Sequence, residues 1–317
     1  MARTHRDPEV GEMRAFCTAV ELGSLGRASR ALRITQPALS KRLRLLEEAA
    51  GTQLLVRSHH GVTPTAGGQS LYMAARRMVA EAETVAQLLA RIGDETAPTR
   101  LAVSPTMAES VLPTLLVEFE HQHTHHLSVE LTIVVSSTVW RLVTDGLADI
   151  GIAAELHPGR EPLDSSPDDH GLVVFPVCDD EVVVVVPAGH RWAALDEIPL
   201  EEFVATPMIM REPGGDSRRA VEETLAERGL KPAPAVAEIG SNAAAKAAIR
   251  ADGVPGLLSR LTVTSNDEDL VVRTVQGLRF PRRFVLIYVS EPDGHPSSTA
   301  LIEHIRERLA SGWKPLG

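Results

Sequence analysis

The apolar residues of this chain change their period once. Up to about residue 93 they recur at steps of three and four, the spacing of amphipathic helices. From about residue 99, short continuous apolar runs alternate with helical stretches. One chain thus builds two kinds of core, and its 317 residues suffice for two or three ordinary domains. Apolar residues make up 44%, enough for both cores and too many for a disordered chain.

The helical part holds three short patterns and one long one. Asp7-Pro8 offers a helix start, Met13, Phe16, Cys17 and Val20 form a stripe, and Gly23 ends it. Ser24 caps a second helix with Leu25, Ala28 and Leu32 inward. After a tight Arg33-Ile34 connection, Thr35 caps a third helix, with Leu39, Leu43 and Leu46 inward and Pro37 harmless in its first turn. Gln36, Ser40, Lys41 and Arg44 lie on other faces. Such side chains read duplex DNA: an amide for adenine, a cation for guanine, a hydroxyl for either. Two short helices joined this tightly, the second polar and basic at its start, form a helix-turn-helix. The alternative is a three-helix bundle with solvated charges. Residues 53–57 and 62–64 read as strands around Ser58-His-His-Gly61, a wing.

From Thr65 to Gly93, the residues Leu71, Ala75, Met78, Ala82, Val85, Leu89 and Ile92 alternate at steps of four and three. Such a helix either pairs with a second copy or packs on its own domain. Pairing is preferred, because a small head has little core to offer so long a helix. Asp94-Glu-Thr-Ala-Pro98 is the expected boundary.

Beyond it, strands are expected at 101–104, 129–135, 149–153, 181–186, 208–211, 236–240 and 284–289. Helices are expected at 111–121, 139–146, 217–228, 243–251 and 299–309. This alternation gives an α/β body of mostly parallel sheets, with ligands held beyond the strand C-termini. Small polar residues stand at these junctions: Ser104-Pro-Thr106, Ser136-Ser-Thr138, Gly214-Gly-Asp-Ser217 and Gly240-Ser-Asn242. Each alone reads as a helix cap, and together they suggest anion sites.

A net charge of −10 argues against nucleic acid until it is divided. Residues 1–93 carry 13 Lys and Arg against 8 Asp and Glu, net +5, and the remainder 19 against 34, net −15. Phe16 and Tyr72 are the only aromatic residues of that basic part, too few for a stacking platform for RNA or single strands. Neither a signal peptide nor a run long enough to span a membrane is found, and two cysteines make no disulfide framework, which points to the cytoplasm. Cys17 shares the core face of its helix, and Cys178 stands beside Asp179-Asp180, where a thiolate is disfavoured. His121, His123, His125 and His126 could gather on an extended segment around a transition metal, but a solvated loop is the plainer reading. No GxGxxG, Walker A, HExxH or GxSxG motif is present, so neither an enzyme nor a cofactor is expected.

Longer motifs are more specific. Phe16-Cys-Thr-Ala-Val-Glu-Leu-Gly-Ser-Leu25 and Thr35-Gln-Pro-Ala-Leu-Ser-Lys-Arg-Leu-Arg-Leu-Leu-Glu-Glu48 resemble the DNA-binding domain of LysR-type transcriptional regulators. Gly51-Thr-Gln-Leu-Leu-Val-Arg57 and Val62-Thr-Pro-Thr-Ala-Gly67 continue the likeness. Ser104-Pro-Thr106, Leu112-Pro-Thr-Leu-Leu116, Asp145-Gly-Leu-Ala-Asp-Ile-Gly-Ile152, Val185-Val-Pro-Ala-Gly-His190 and Arg211-Glu-Pro-Gly214 are similar to that family's effector-binding domain.

The resemblance implies an α+β chain overall: a winged helix-turn-helix head (1–64), a linker helix (65–97) and an α/β effector domain (98–317). The last would comprise two Rossmann-like subdomains, 99–177 plus 278–317 and 178–277, joined by crossing strands. Base contacts would come from Gln36, Pro37, Ser40 and Lys41, with Arg42 or Arg44 nearer phosphates and Thr35, Arg57 and His60 completing the DNA-binding set. A small-molecule effector of unspecified identity would lie near Ser104, Thr106, Ser137, Thr138, Ser217, Ser241 and Asn242. Promoter DNA and further copies of the chain, as a dimer through the linker and then a tetramer, are the implied partners. Leu25-Gly26 and His59-His60 depart from the family's usual residues, as does Asp216, which either caps its helix or rejects a carboxylate ligand. The alternative is a solute-binding module for transport, which leaves residues 8–64 without a task.

Overall fold

The computed structural model describes residues 6–58, 61–91, 97–123, 128–155, 171–290 and 296–311. The chain divides into two compact units, 1–92 and 93–317. In the first, helices α1 (Val10–Leu22), α2 (Leu25–Ala31) and α3 (Gln36–Ala50) close around Phe16, Ala28, Leu39, Leu43 and Leu46. Helix α1 starts later than Asp7-Pro8 suggests, because Glu9 and Glu12 close a capping box. Ser24 caps α2 and Thr35 caps α3, accepting from the Arg27 and Ala38 amides at 3.4 and 3.3 Å.

Strands β1 (Leu55–Ser58) and β2 (Gly61–Pro64) pair antiparallel as a wing, with Arg57 opposite Val62. The wing is tied down twice. The Glu47 carboxylate accepts from the Leu54 and Leu55 amides at 3.0 and 3.2 Å, and the Val62 amide donates to the Gly23 carbonyl at 2.9 Å. Helix α4 (Ala66–Arg91) follows directly. Thr65 Oγ1 accepts from the Gly68 amide at 3.0 Å and donates to the Gln53 carbonyl at 2.9 Å, so one hydroxyl starts α4 and holds it to the wing. The first half of the heptad seam packs on its own domain and the second half does not. Leu71, Ala75 and Met78, with Tyr72 and Val79, pack into the head's own core, whereas Val85 and Leu89 are 48% and 63% exposed.

The second unit begins with β3 (Thr99–Val103), α5 (Pro105–Ser110), α6 (Leu112–Gln122), β4 (Val129–Ile133), α7 (Ser136–Thr144) and β5 (Ile150–Ala154). It continues through β6 (Leu172–Pro187), β7 (Glu197–Ile198), α8 (Leu200–Ala205), β8 (Ile209–Met210), α9 (Asp216–Ala226), β9 (Ala237–Glu238) and α10 (Asn242–Asp252). Strands β10 (Gly256–Ser259), β11 (Leu270–Val275) and β12 (Pro281–Val289) and helix α11 (Pro296–Ala310) complete it. The strands run in the order β4-β3-β5-β12-β6-β10-β8-β9, with β11 beside β6 and β7.

The sheets are less uniformly parallel than the alternation suggests. β4, β3 and β5 run parallel, as do β10, β8 and β9, but β12 is antiparallel to both β5 and β6, and β6 is antiparallel to β10 and β11. Strand β6 serves two half-sheets: its first part, residues 172–181, pairs with β12, and residues 182–187 pair with β10 and β11. The uninterrupted valine run follows from this place. Val182, Val184 and Val186 face Trp192, Phe203 and Val221, while Val183 and Val185 face Ala245 and Ile249. Both faces are buried, so no polar alternation is required. In the other half-sheet, Leu101, Leu115, Phe119 and Ile305 fill one face, and Val139, Val143, Ala153 and Ile287 the other.

The head–helix junction makes a sharp prediction. A Cβ on Gly68 would lie 2.1 Å from the Leu54 carbonyl oxygen, whereas one on Gly67 meets only ordinary contacts from 3.7 Å outward. Gly68→Ala should cost about 2–3 kcal/mol of stability. Gly67→Ala should be neutral or gain about 0.5–1 kcal/mol. Urea titration of both variants reads the contrast.

Candidate DNA-binding groove and ligand cleft

In the first unit, an open groove runs between α3 and the wing, lined by Pro37, Ser40, Lys41, Arg44, Glu47, Gln53 and Arg57. Three cations and two neutral polar side chains thus face one channel. Its carboxylate, Glu47, is already engaged by the wing amides. Arg44 rests 3.7 Å from Glu48 in an exposed pair, a weak restraint. Gln36 is exposed on the first turn of α3, outside the groove lining. Thr35 spends its hydroxyl on the cap. Arg42 lies against α1, its guanidinium 3.6 Å from where Gly11 would carry a Cβ, so it is separate from the groove. His60 falls outside the described residues.

In the second unit, a cavity between the half-sheets is lined by Ser104, Thr106, Val135, Arg211, Glu212, Asp216, Ser217, Arg282 and Phe284, among others. At about 20 Å³ it has room for one water. Its hub is Arg282 on β12, 6% exposed and stacked over the Phe284 ring at 4.7 Å. The guanidinium donates to Asp180 at 2.6 Å, Ser217 at 3.0 Å and Thr106 at 3.3 Å. Asp180, with a fully buried side chain, also accepts from Ser259 at 2.8 Å and the Leu261 amide at 3.3 Å. Nearby, Arg211 donates to Glu212 at 3.0 Å, to the Gly240 carbonyl at 2.5 Å and to Asn242.

Of the expected effector residues, the cavity gathers Ser104, Thr106 and Ser217. Ser137 is exposed, Thr138 is half-buried, and neither lines the cavity. It is Ser136 that turns inward: its amide donates to Asp216 at 3.2 Å, and its hydroxyl accepts from the Ala154 amide at 2.9 Å. Ser241 is an exposed helix cap. Asn242 is buried but stands behind Arg211 rather than in the lining. The charged residues Arg211, Arg282 and Asp180 are not among the expected effector contacts. Their signal was an arginine or aspartate abutting an apolar strand run, which demands a buried partner.

The comparisons decide the family. Residues 10–69 match the family described as bacterial regulatory helix-turn-helix protein, lysR family, and residues 93–310 match the LysR substrate binding domain. The chain belongs to the LysR family of transcriptional regulators. The uncharacterized HTH-type transcriptional regulator Rv2282c of Mycobacterium tuberculosis is 32% identical over 276 residues, 84% of this chain and 85% of its own. CysL of Bacillus subtilis, an HTH-type transcriptional regulator, is 27% identical over 285 residues, 88% and 90% of the two chains. The crystal structure of full-length CbnR complexed with its target DNA shares the fold, with TM-score 0.59 and 20% identity over 94% of this chain and 99% of that one. These relatives are regulators, not enzymes, and the transport alternative finds no support.

Two further features of this LysR regulator are chemically quiet. Burial pushes the Cys178 thiol up to about 12, helped by Asp180 and Asp179, and burial pushes Cys17 up to about 11. His123 stacks on Phe119 at 4.0 Å with Nδ1 3.0 Å from the Phe119 carbonyl, while His125 and His126 lie outside the described residues. Among the described residues, no group of three His, Cys, Asp or Glu side chains is placed to hold a metal.

Two outcomes are expected. Asp180→Ala should cost about 3–5 kcal/mol by leaving Arg282 buried without a counter-charge, and the double variant Asp180→Leu, Arg282→Met should recover most of it. Denaturant titration of both measures this. At pH 7.5, iodoacetamide should label the native thiols at least about a hundredfold more slowly than the urea-unfolded chain, with the rate climbing only in strong base.

Proposed function

We propose that the regulator grips duplex DNA with the α3–wing groove and that a small molecule bound between the half-sheets alters that grip. The observation that carries the first part is the convergence of Lys41, Arg44 and Arg57 with Ser40 and Pro37 along one open channel. Helix α3 has the position of a recognition helix, its first turns aimed at base edges and the wing beside it at the backbone. Gln36 reads bases ahead of the groove, Ser40 and Lys41 read within it, and Arg44 and Arg57 hold phosphates. A basic head on an acidic body keeps the body off the duplex. The chain works where its DNA lies, in the cytoplasm.

Pairing of two heads follows from the exposed Val85 and Leu89 on the far half of α4, which a second copy of α4 would cover. Leu131 and Ile133, exposed on the edge strand β4, offer a second self-association surface and hence a tetramer. For the effector, Ser104, Thr106 and Ser217 are the contacts, reached once the narrow cavity widens. Coupling requires that the effector bind the open and closed forms unequally. No cofactor enters this scheme.

Gel shift or anisotropy with promoter DNA and random duplex at several salt concentrations tests the assignment. Gln36→Ala should lose about 1–3 kcal/mol on the specific site and relax base preference. Arg44→Ala should weaken both duplexes alike and lower the salt slope by about one. Identical behaviour of the two variants on both duplexes would remove the division of roles.

A further inference from the structure

We propose that Asp216 is a tethered carboxylate seated in the anion site of the cleft, and that the effector is a small organic acid that displaces it. This deepens the reading of the cleft as the effector site and rests on it. Asp216 is the first residue of α9, yet its side chain does not cap that helix. Instead its Oδ2 accepts from the Ser136 amide at the start of α7, 80 residues away in sequence, at 3.2 Å. The positive ends of two helices therefore meet on one carboxylate. Ser136 is fully buried and its hydroxyl is engaged by Ala154, so the amide is what α7 offers to an anion.

A second observation points to a ligand in the same place. Ser104 lines this cavity and is 2% exposed, and its Oγ has no hydrogen-bond partner among the described residues. A buried hydroxyl left so costs free energy that an oxygen-bearing ligand would return. Arg211 and Arg282 line the cavity too, paired with Glu212 and Asp180, so that once Asp216 withdraws the lining is balanced in charge and the Ser136 amide is left to receive an anion. At about 20 Å³ the space beside Asp216 is small for an organic acid, and Asp216 and Glu212 would repel one. Asp216 also borders a wider groove, where its Oδ1 lies 3.4 Å from Arg219. Glu155, Asp179, Glu223 and Glu227 line that groove as well as Arg279 and Arg283, so Arg219 is the cation that would hold the withdrawn carboxylate. Exchanging one carboxylate for another at α7 keeps the Ser136 amide and the helix end occupied by an acceptor, whereas a cationic ligand would leave them facing positive charge. The tether weakens effector binding by the fraction of time the seat is vacated.

The test uses the full chain as wild type, Asp216→Ala and Asp216→Asn, with acetate as probe and acetamide and chloride as controls. Calorimetric Tm should rise saturably with acetate for Asp216→Ala, and not for wild type or with either control. In isothermal titration with small mono- and dicarboxylic acids, an acid that binds wild type should bind Asp216→Ala at least about tenfold more tightly. Asp216→Asn, which preserves the shape, should fall between and serves if the alanine variant does not fold. Acetate that acts equally on wild type and both variants, or on none, overturns the tether. Acids that bind wild type and variants equally also overturn it while leaving the cleft as the effector site. If acetate fills Asp216→Ala but no acid that binds changes DNA affinity, the seat stands and its role in effector recognition is overturned.

Discussion

The second unit depends on one buried ion pair. Asp180 on β6 and Arg282 on β12 stand directly opposite in an antiparallel register, with Asp179 and Arg283 paired one step outward. An Asp-Asp and an Arg-Arg dipeptide thus meet at the start of β12, where β6 passes from one half-sheet to the other. Desolvating two charges is expensive, and the cost is met here by saturation: the carboxylate takes three donors and the guanidinium reaches three acceptors. Asp179 and Glu181 flank Asp180, so charge alone does not set the register; the added bonds of Arg282 to Ser217 and Thr106, and of Asp180 to Ser259 and the Leu261 amide, single out this pair.

The same guanidinium ties the halves together. Thr106 belongs to one half, Ser217 to the other, and both accept from Arg282. The narrow cavity is therefore a hydrogen-bonded state with named bonds to break, not a loose gap. Opening it frees two hydroxyls and one guanidinium edge, which are the groups a polar ligand would use to compensate.

Local features of the fold were legible in the sequence because they are set locally. Ser24 and Thr35 announce their caps, Leu39, Leu43 and Leu46 their helix face, and the alternation of runs the α/β body. What escaped depends on partners distant in sequence. Residues 172–180 were not expected in a strand, since Pro176 and the two aspartates interrupt the apolar run and only pairing with β12 extends it. β11 was missed because its half-buried Arg273 and Thr274 break the pattern. At α7 the polar triplet was recognised, but which of its three residues faces inward is settled by Val139 and Val143 docking on β5, and that choice selects Ser136 over Ser137 and Thr138. The heptad was read correctly as helix, yet a period cannot tell which partner covers each turn.

The contact between Gly68 and the Leu54 carbonyl, with Thr65 bonded to both sides, leaves no hinge between wing and α4. The helix is then a lever arm with the reading surface fixed to one end. Its 26 residues span about 39 Å. A tilt of about 5° at the far end carries the groove roughly 3 Å sideways, nearly one base-pair step. In the dimer proposed above, half-site spacing on DNA would be set at the opposite end of the helix, by the copy that covers Val85 and Leu89.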